Sequence, residues 1–314
     1  MENILVVENI SKKYKNYQAL KDVSLTIRKG DIYGLIGRNG AGKTTLLKII
    51  TSLSKESSGS VQLFGSNNQK EFIKSLERTG SVIETPVAYD NLSARENLVY
   101  YSKLRGVVDK KMIDDTLKLV DLADVGKKKT KHFSLGMKQK LGIAIALLSQ
   151  PDFLILDEPI NGLDPIAIVE FRDLLKKLNK EFNITILISS HILSELYQVA
   201  NRFGILNDGK IAEEMSKEDF EKLSRNMICI EVEEVEKVTP ILEKITQSAY
   251  KVISQNEINV YDPDIEVTDF IHHLTEHKIT INGIYKTGID LENHFKALVD
   301  GTNQNLPVKG GKMQ

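Results

Sequence analysis

The stretch Gly37–Thr45 reads GRNGAGKTT and fits the pattern G-x-x-x-x-G-K-[ST]. An apolar run, Ile32–Ile36, precedes it as a predicted buried strand, and Leu46–Ile50 follows with apolar residues at helical spacing. A glycine-rich loop in this setting turns successive backbone N–H groups onto one centre, and the helix N-terminus adds partial positive charge. The stretch therefore predicts a loop that binds the phosphates of a nucleoside triphosphate.

The loop positions have separate predicted roles. Lys43 is expected to reach the β- and γ-phosphates, and Thr44 to place its hydroxyl on Mg²⁺. The other residues predicted to surround the phosphates are Gly37, Asn39, Gly40, Gly42 and Thr45. The alternative is a glycine-rich turn that happens to contain a lysine, and the flanking strand and helix argue against it.

Composition limits the class of protein. A chain of 314 residues is long enough for two domains. Its net charge of −1 argues against a broad electrostatic attraction to nucleic acid, so no nucleic-acid partner is expected. The single cysteine, Cys229, excludes an internal disulfide, and its apolar neighbours indicate a thiol packed in a strand. No apolar stretch approaches the roughly 20 residues of a membrane-spanning helix, so action at a membrane would require a span from another chain.

The pattern of elements predicts two domains and a tail. Strands and helices alternate as far as residue 224, which is typical of a mostly parallel α/β sheet with antiparallel additions. The pattern then changes, and residues 225–301 are predicted to form a small α+β domain that closes with a helix at Asp290–Leu298. Residues 302–314 have almost nothing to bury and are predicted to be disordered.

A second candidate site follows a buried strand. Phe153–Leu156 is an apolar run that ends in Asp157 and Glu158. Open α/β sheets hold their ligands at the carboxyl ends of such strands. Asp157 is expected to reach Mg²⁺ through its water shell, and Glu158 to polarise the attacking water. An acidic pair that merely caps the following segment is the alternative.

Three further motifs carry a family resemblance. They are Ser134–Gln139, which reads SLGMKQ, Asn161–Asp164, which reads NGLD, and the pair Ser190–His191. Together with the phosphate loop and the acidic pair, they make the chain resemble the ATP-binding cassette (ABC) family over roughly residues 1–223. The resemblance implies a P-loop NTPase cassette, with a mixed sheet core and a helical subdomain that carries the SLGMKQ signature, followed here by the small α+β domain.

The resemblance also implies how ATP is bound. In the family, two cassettes dimerise head to tail, and each ATP lies between the phosphate loop of one copy and the signature of the other. A second copy of this chain, ATP and Mg²⁺ are therefore expected. The implied contacts are adenine stacking by Tyr14 (or its neighbour Tyr17), phosphate binding in trans by Ser134 and Gly136, a seam-crossing Asp164, and His191 on the γ-phosphate and water.

Two positions depart from the family pattern. The signature usually reads LSGGQ, whereas Phe133–Met137 reads FSLGM and lacks the first glycine and the glutamine. Ser134 and Gly136, which touch phosphate in the family, remain. Glu84 stands where the family has a glutamine that contacts Mg²⁺ or its water. A carboxylate binds Mg²⁺ more strongly, so Glu84 is predicted to contact the metal and to tune coupling to a permease. The acidic residue at position 84 and the SLGMKQ signature together make the chain resemble the bacitracin and lantibiotic subgroup of ABC transporters.

The implied function is the ATP-hydrolysing subunit of a transporter that exports antimicrobial peptides or extracts them from the membrane, giving resistance or self-immunity. Such a subunit lies at the cytoplasmic face of the membrane and is held there by an integral permease. The alternative is a soluble ABC ATPase that acts on ribosomes or DNA. Ribosome-acting members of the family carry two cassettes on one chain. Chromosome-handling members insert a long coiled coil between the phosphate loop and the signature, whereas Lys43 and Ser134 are only about 90 residues apart here.

Overall fold

The computed structural model describes residues 2–66, 68–85, 88–106, 109–224, 227–245, 249–261 and 267–287. The predicted helix at Asp290–Leu298 and the predicted disordered tail at 302–314 lie outside these residues. The chain divides into two compact units, Met1–Ser216 and Lys217–Gln314. The helix Lys217–Ser224 thus belongs to the second unit, whereas the change of sequence pattern placed it at the end of the first.

The first unit contains nine strands and seven α-helices among its described residues. The strands are β1 (Asn3–Tyr14), β2 (Tyr17–Arg28), β3 (Ile32–Ile36), β4 (Ser58–Leu63), β5 (Thr79–Val82), β6 (Phe153–Asp157), β7 (Thr185–Ser190), β8 (Arg202–Asn207) and β9 (Lys210–Ser216). The helices are α1 (Lys43–Ile50), α2 (Gln69–Leu76), α3 (Ala94–Leu104), α4 (Lys110–Leu119), α5 (Leu135–Leu147), α6 (Pro165–Phe182) and α7 (Leu193–Tyr197).

A six-stranded sheet in the order β5-β6-β7-β3-β8-β9 forms the centre of this unit. All its pairs are parallel except β8 with β9. Every residue of β3, β6 and β7 is buried, which explains why the interiors of these strands are apolar and do not alternate with polar residues. Their carboxyl ends lead into the phosphate loop, the acidic pair and His191, so the sheet delivers all three to one edge.

Antiparallel additions complete the cassette, as predicted. β8 and β9 form a hairpin whose turn residues Asp208 and Gly209 have φ angles of 45° and 78°, the left-handed pair that a two-residue hairpin favours. A separate sheet has the order β2-β1-β4. β1 and β2 have 12 residues each, and their pairing extends as far as Tyr14 with Tyr17.

Helix α1 fixes the phosphate loop to the core. Leu46, Leu47, Ile49 and Ile50 are all buried on it, each worth about 1.5–3 kcal/mol relative to an exposed side chain. Helices α3, α4 and α5 pack on one another as the predicted helical subdomain. The P-loop cassette fold is confirmed.

The second unit is a small α+β fold of its own. Its strands are β10 (Met227–Val232), β11 (Ala249–Val252), β12 (Glu257–Tyr261) and β13 (Ile281–Thr287), and its helices are α8 (Lys217–Ser224), α9 (Val235–Ile245) and α10 (Val267–Glu276). The strands form an antiparallel sheet in the order β11-β12-β10-β13. Cys229 is free and buried in β10, which confirms the prediction of a packed strand thiol.

Candidate functional site

The phosphate loop is packed so closely that two of its glycines are obligatory. Gly42 has a φ of 111°, and an added Cβ would lie 2.7 Å from the carbonyl oxygen of Ala19. A Cβ on Gly37 would lie 2.5 Å from the carbonyl oxygen of Leu206. Backbone atoms cannot move aside as a flexible side chain can, so the loop is held in one conformation by its neighbours.

Lys43, the first residue of α1, is the buried cation of the site. Its Nζ donates to the carbonyl oxygens of Gly37 at 2.6 Å and Arg38 at 3.2 Å, and it lies 3.0 Å from Glu158 Oε1. Its side chain is only 6% exposed. The loop therefore aims this charge at the acidic residue that follows β6.

Asp157 is oriented through both of its oxygens. Thr44 Oγ1 donates to Oδ2 at 2.7 Å, and Ser189 Oγ donates to Oδ1 at 2.7 Å. The carboxylate is buried, so these two bonds fix its rotation. A hydroxyl beside a carboxylate is the hard oxygen donor set that Mg²⁺ prefers, and the pair therefore fits that ion.

Glu158 divides its carboxylate between two partners. Oε1 faces Lys43, and Oε2 lies 2.8 Å from Nδ1 of His191 at the end of β7. Its backbone φ is 47°, a left-handed conformation that is uncommon for glutamate. The backbone N–H of Glu158 donates to Ser189 Oγ at 2.9 Å, which supports this turn. The structure thus brings Lys43, Thr44, Asp157, Glu158 and His191 into one hydrogen-bonded cluster.

Two aromatic residues flank the loop from the β1–β2 hairpin. Tyr14 is 45% exposed, and the Nζ of Lys12 lies 4.8 Å from its ring centre. Tyr17 is 59% exposed, and its hydroxyl donates to the carbonyl oxygen of Gly40 at 3.3 Å. Of the two, Tyr17 contacts the loop, whereas the ring of Tyr14 has the ammonium group of Lys12 over it.

The signature and NGLD residues stand at the starts of two helices. Ser134 caps α5 by accepting from the N–H of Met137 at 3.2 Å, and Asp164 caps α6 by accepting from the N–H of Ala167 at 2.9 Å. A Cβ on Gly136 would lie 3.3 Å from the Cβ of Ala167, so the two helix starts are neighbours. Both cap bonds stay within their own helices and do not join the Lys43 cluster.

A buried lysine ties the same two helices together. Lys140 on α5 has a side chain only 10% exposed, and its Nζ lies 2.9 Å from Glu170 Oε2 on α6 and 3.5 Å from Asp121 Oδ2. The ion pair of Lys140 with Glu170 joins the helices that begin at Ser134 and Asp164.

Glu84 is paired with a residue that the sequence analysis did not consider. Its Oε1 lies 2.6 Å from Nζ of Lys48 on α1, and this hydrogen bond is the main reason that the pKa of Lys48 is raised. Lys48 is four residues after Thr44, and this spacing was the signal that the two share a helix face.

Two more residues of the site were missed. Ser189 on β7 is not among the predicted site residues, although it bonds both acidic residues. Glu195 on α7 has a buried Oε2 without a hydrogen-bond partner among the described residues. Burial raises the pKa of Glu195, while the nearby charge of His191 acts to lower it.

Comparison with known proteins identifies the family. The family model described as "ABC transporter" matches residues 20–161. The bacitracin transport ATP-binding protein BcrA of Bacillus licheniformis is 40% identical over 302 residues, covering 96% of this chain and 99% of the relative. The chain belongs to the ABC transporter ATP-binding proteins. It is therefore an ATP-binding ATPase whose hydrolysis is coupled to transport.

Two further comparisons give the same family assignment for this ABC ATPase. The lantibiotic transport ATP-binding protein SrtF of Streptococcus pyogenes is 42% identical over 231 residues, covering 73% of this chain and 99% of SrtF. A solved dimer of the cassette MJ0796 in a post-hydrolysis state with ADP and Pi has a TM-score of 0.59 at 28% identity, covering 68% of this chain and 98% of that chain. Within its described residues, this ABC ATPase has no helix long and apolar enough to cross a bilayer.

Proposed function

We propose that this ABC ATPase powers a membrane permease that exports an antimicrobial peptide of the bacitracin or lantibiotic type, or extracts it from the membrane. The result is resistance or self-immunity. One observation carries the proposal: the match to BcrA covers 96% of this chain and so includes both compact units. The alternative, a soluble ATPase acting on ribosomes or DNA, is not favoured because these relatives are named as transport proteins.

The proposed chemistry assigns a task to each side chain of the cluster. Lys43 binds the β- and γ-phosphates, and exchanges its pairing with Glu158 for them. Glu158 takes a proton from the attacking water, and His191 at 2.8 Å holds that carboxylate in place. Thr44 and Asp157 would hold Mg²⁺ together with Glu84, and the ion would neutralise charge on the phosphates. Tyr14 or Tyr17 stacks on adenine.

The proposed assembly is a pair of these chains at the cytoplasmic face of the membrane. Ser134 and Gly136 lie at a helix start, which suits a phosphate arriving from the other copy. Asp164 begins the neighbouring helix and is proposed to cross the seam. The dimeric state of the related MJ0796 supports the pairing, and an integral permease would hold the pair at the membrane.

Resistance measured in cells tests the proposal. Cells lacking their own copy would receive this chain with its permease, as the unaltered protein, as Glu158→Gln or as Lys43→Ala. The unaltered chain is expected to raise the bacitracin or lantibiotic concentration that stops growth, and both variants are expected to lose that gain. Equal sensitivity of all three strains to both peptides would contradict the proposed substrate class.

A further inference from the structure

One face of helix α1 contacts both acidic residues assigned to the metal. Thr44 and Lys48 are one helical turn apart, and so their side chains project from the same face. Thr44 Oγ1 donates to Asp157 Oδ2 at 2.7 Å, and Lys48 Nζ donates to Glu84 Oε1 at 2.6 Å. Helix α1 therefore places the ammonium group of Lys48 on the same face as Thr44, the residue that contacts Asp157.

The Lys48–Glu84 pair is exposed and easily broken. The side chain of Lys48 is 33% exposed and that of Glu84 is 60% exposed. Ion pairs with this exposure change an equilibrium constant by only roughly one and a half- to fivefold. Glu84 also has a φ of 63°, a left-handed conformation that non-glycine residues seldom adopt. An ion pair this exposed is weak enough to be replaced by a stronger contact.

We infer that Lys48 is a positioning residue that competes with the divalent cation for Glu84. Its ammonium group holds the carboxylate against α1, and Glu84 would have to leave Lys48 in order to join Thr44 and Asp157 in holding a cation. The affinity of the site for the cation is then set partly by how strongly Lys48 retains Glu84. A glutamine at position 84 is neutral and cannot form this ion pair, so the competition is a property of the glutamate. This inference rests on the proposed nucleotide and cation site.

Binding of Mn²⁺ with ATP, followed by electron paramagnetic resonance, tests the competition without relying on turnover. The full chain would carry Glu158→Gln so that ATP is not consumed. Lys48→Met is expected to tighten Mn²⁺ binding about threefold when Glu84 is present, because the competitor is gone. In a Glu84→Gln background, the same change is expected to have a clearly smaller effect. Lys48→Arg retains the ion pair and is expected to bind Mn²⁺ like the parent.

The two backgrounds separate competition from general electrostatics. Lys48→Met removes one positive charge in each, so the long-range effect on a cation is the same in both. Equal shifts in the two backgrounds, or no shift in either, would overturn the role of Lys48 while leaving the cation site intact. Absence of Mn²⁺ binding with ATP in the parent chain would instead overturn the proposed site, and the inference with it.

Discussion

The Nζ of Lys43 lies 3.0 Å from Oε1 of Glu158, and the two side chains are only 6% and 21% exposed. The cation proposed to bind phosphate is thus paired with the carboxylate proposed to act as the base. A phosphate that reaches Lys43 must displace Glu158 from it, and the released Oε1 is then available to accept a proton from water. The Lys43–Glu158 ion pair therefore links nucleotide binding to the release of the Glu158 carboxylate that is proposed to act as the base.

Replacing Glu158 by glutamine tests this link. Hydrolysis is expected to fall by roughly 10²–10⁴-fold because an amide cannot accept the proton. ATP binding is expected to persist or tighten, since the γ-phosphate then meets a neutral group and Lys43 has lost its competitor. Steady-state ATPase assays and equilibrium ATP binding measure the two effects. Glu84→Gln is the matched control and is expected to change hydrolysis less than tenfold; retention of activity by Glu158→Gln would contradict the assignment.

Two glycines of the phosphate loop make a second test. Gly42→Ala places a methyl group 2.7 Å from the backbone oxygen of Ala19 at a φ of 111°. It is expected to cost at least about 1–3 kcal/mol of folding free energy and to abolish ATP binding. Gly40 also has a positive φ, 85°, but an added Cβ meets nothing within 4 Å, so Gly40→Ala is expected to cost only about 1 kcal/mol.

Thermal unfolding and ATP titration of the two glycine variants would be compared side by side. The difference between them isolates the steric contact, because left-handed backbone strain is common to both. If Gly40→Ala and Gly42→Ala lose ATP binding to the same extent, packing of the loop against Ala19 is not what positions it.

Ser189 provides the third prediction. Ser189→Ala removes the donor to Asp157 Oδ1 and the acceptor for the N–H of Glu158. Leaving these buried groups unpaired is expected to cost about 1–3 kcal/mol of stability and to lower ATPase activity about tenfold. Ser190→Ala is the control, since Ser190 Oγ is also buried but accepts from the N–H of Ile192. The control is expected to lose stability with a smaller loss of activity, and equal activities would count against Ser189.

The sequence was sufficient wherever a buried strand ends in a polar motif. The interiors of β3, β6 and β7 are apolar, and at or just beyond their carboxyl ends lie the phosphate loop, the acidic pair and His191. Because parallel strands share one carboxyl edge, the convergence of these motifs followed from the pattern alone. The pairing of Asp157 with Ser189 did not, since it depends on the register between β6 and β7, which the order of residues does not encode.

Sequence patterns are weakest for a short helix with no fully buried residue and for strands whose register is irregular. Helix α2 has only eight residues, none of them fully buried, and its apolar residues Phe72 and Leu76 are only partly buried against the core. Strands β1 and β2 change register at several points, which interrupts the alternation of inward and outward residues. The Lys48–Glu84 contact was missed for a different reason: it joins two elements whose distance is set only by the folded sheet.

The start of helix α3 gives the pH-dependent prediction. Glu96 accepts from the backbone N–H of Ser93 at 2.7 Å and lies 3.1 Å from Nζ of Lys129, and these contacts lower its pKa from 4.5 to about 2. A carboxyl whose pKa is depressed in the folded state stabilises the fold above its ordinary pKa. That contribution is lost as the pH falls from about 4.5 to 2. Glu96→Gln is therefore expected to unfold at a lower temperature than the parent at pH 7, with the difference vanishing toward pH 2.

Thermal midpoints from circular dichroism across this pH range measure the Glu96 effect. Glu181→Gln, at the exposed end of α6, controls for the loss of one surface charge and is expected to show no comparable change. Added salt screens the contact with Lys129 but leaves the hydrogen bonds from Ser93, so part of the difference is expected to survive at high ionic strength. A difference between Glu96→Gln and the parent that stays constant from pH 7 to pH 2 would show that the charge of Glu96 does not stabilise this helix start.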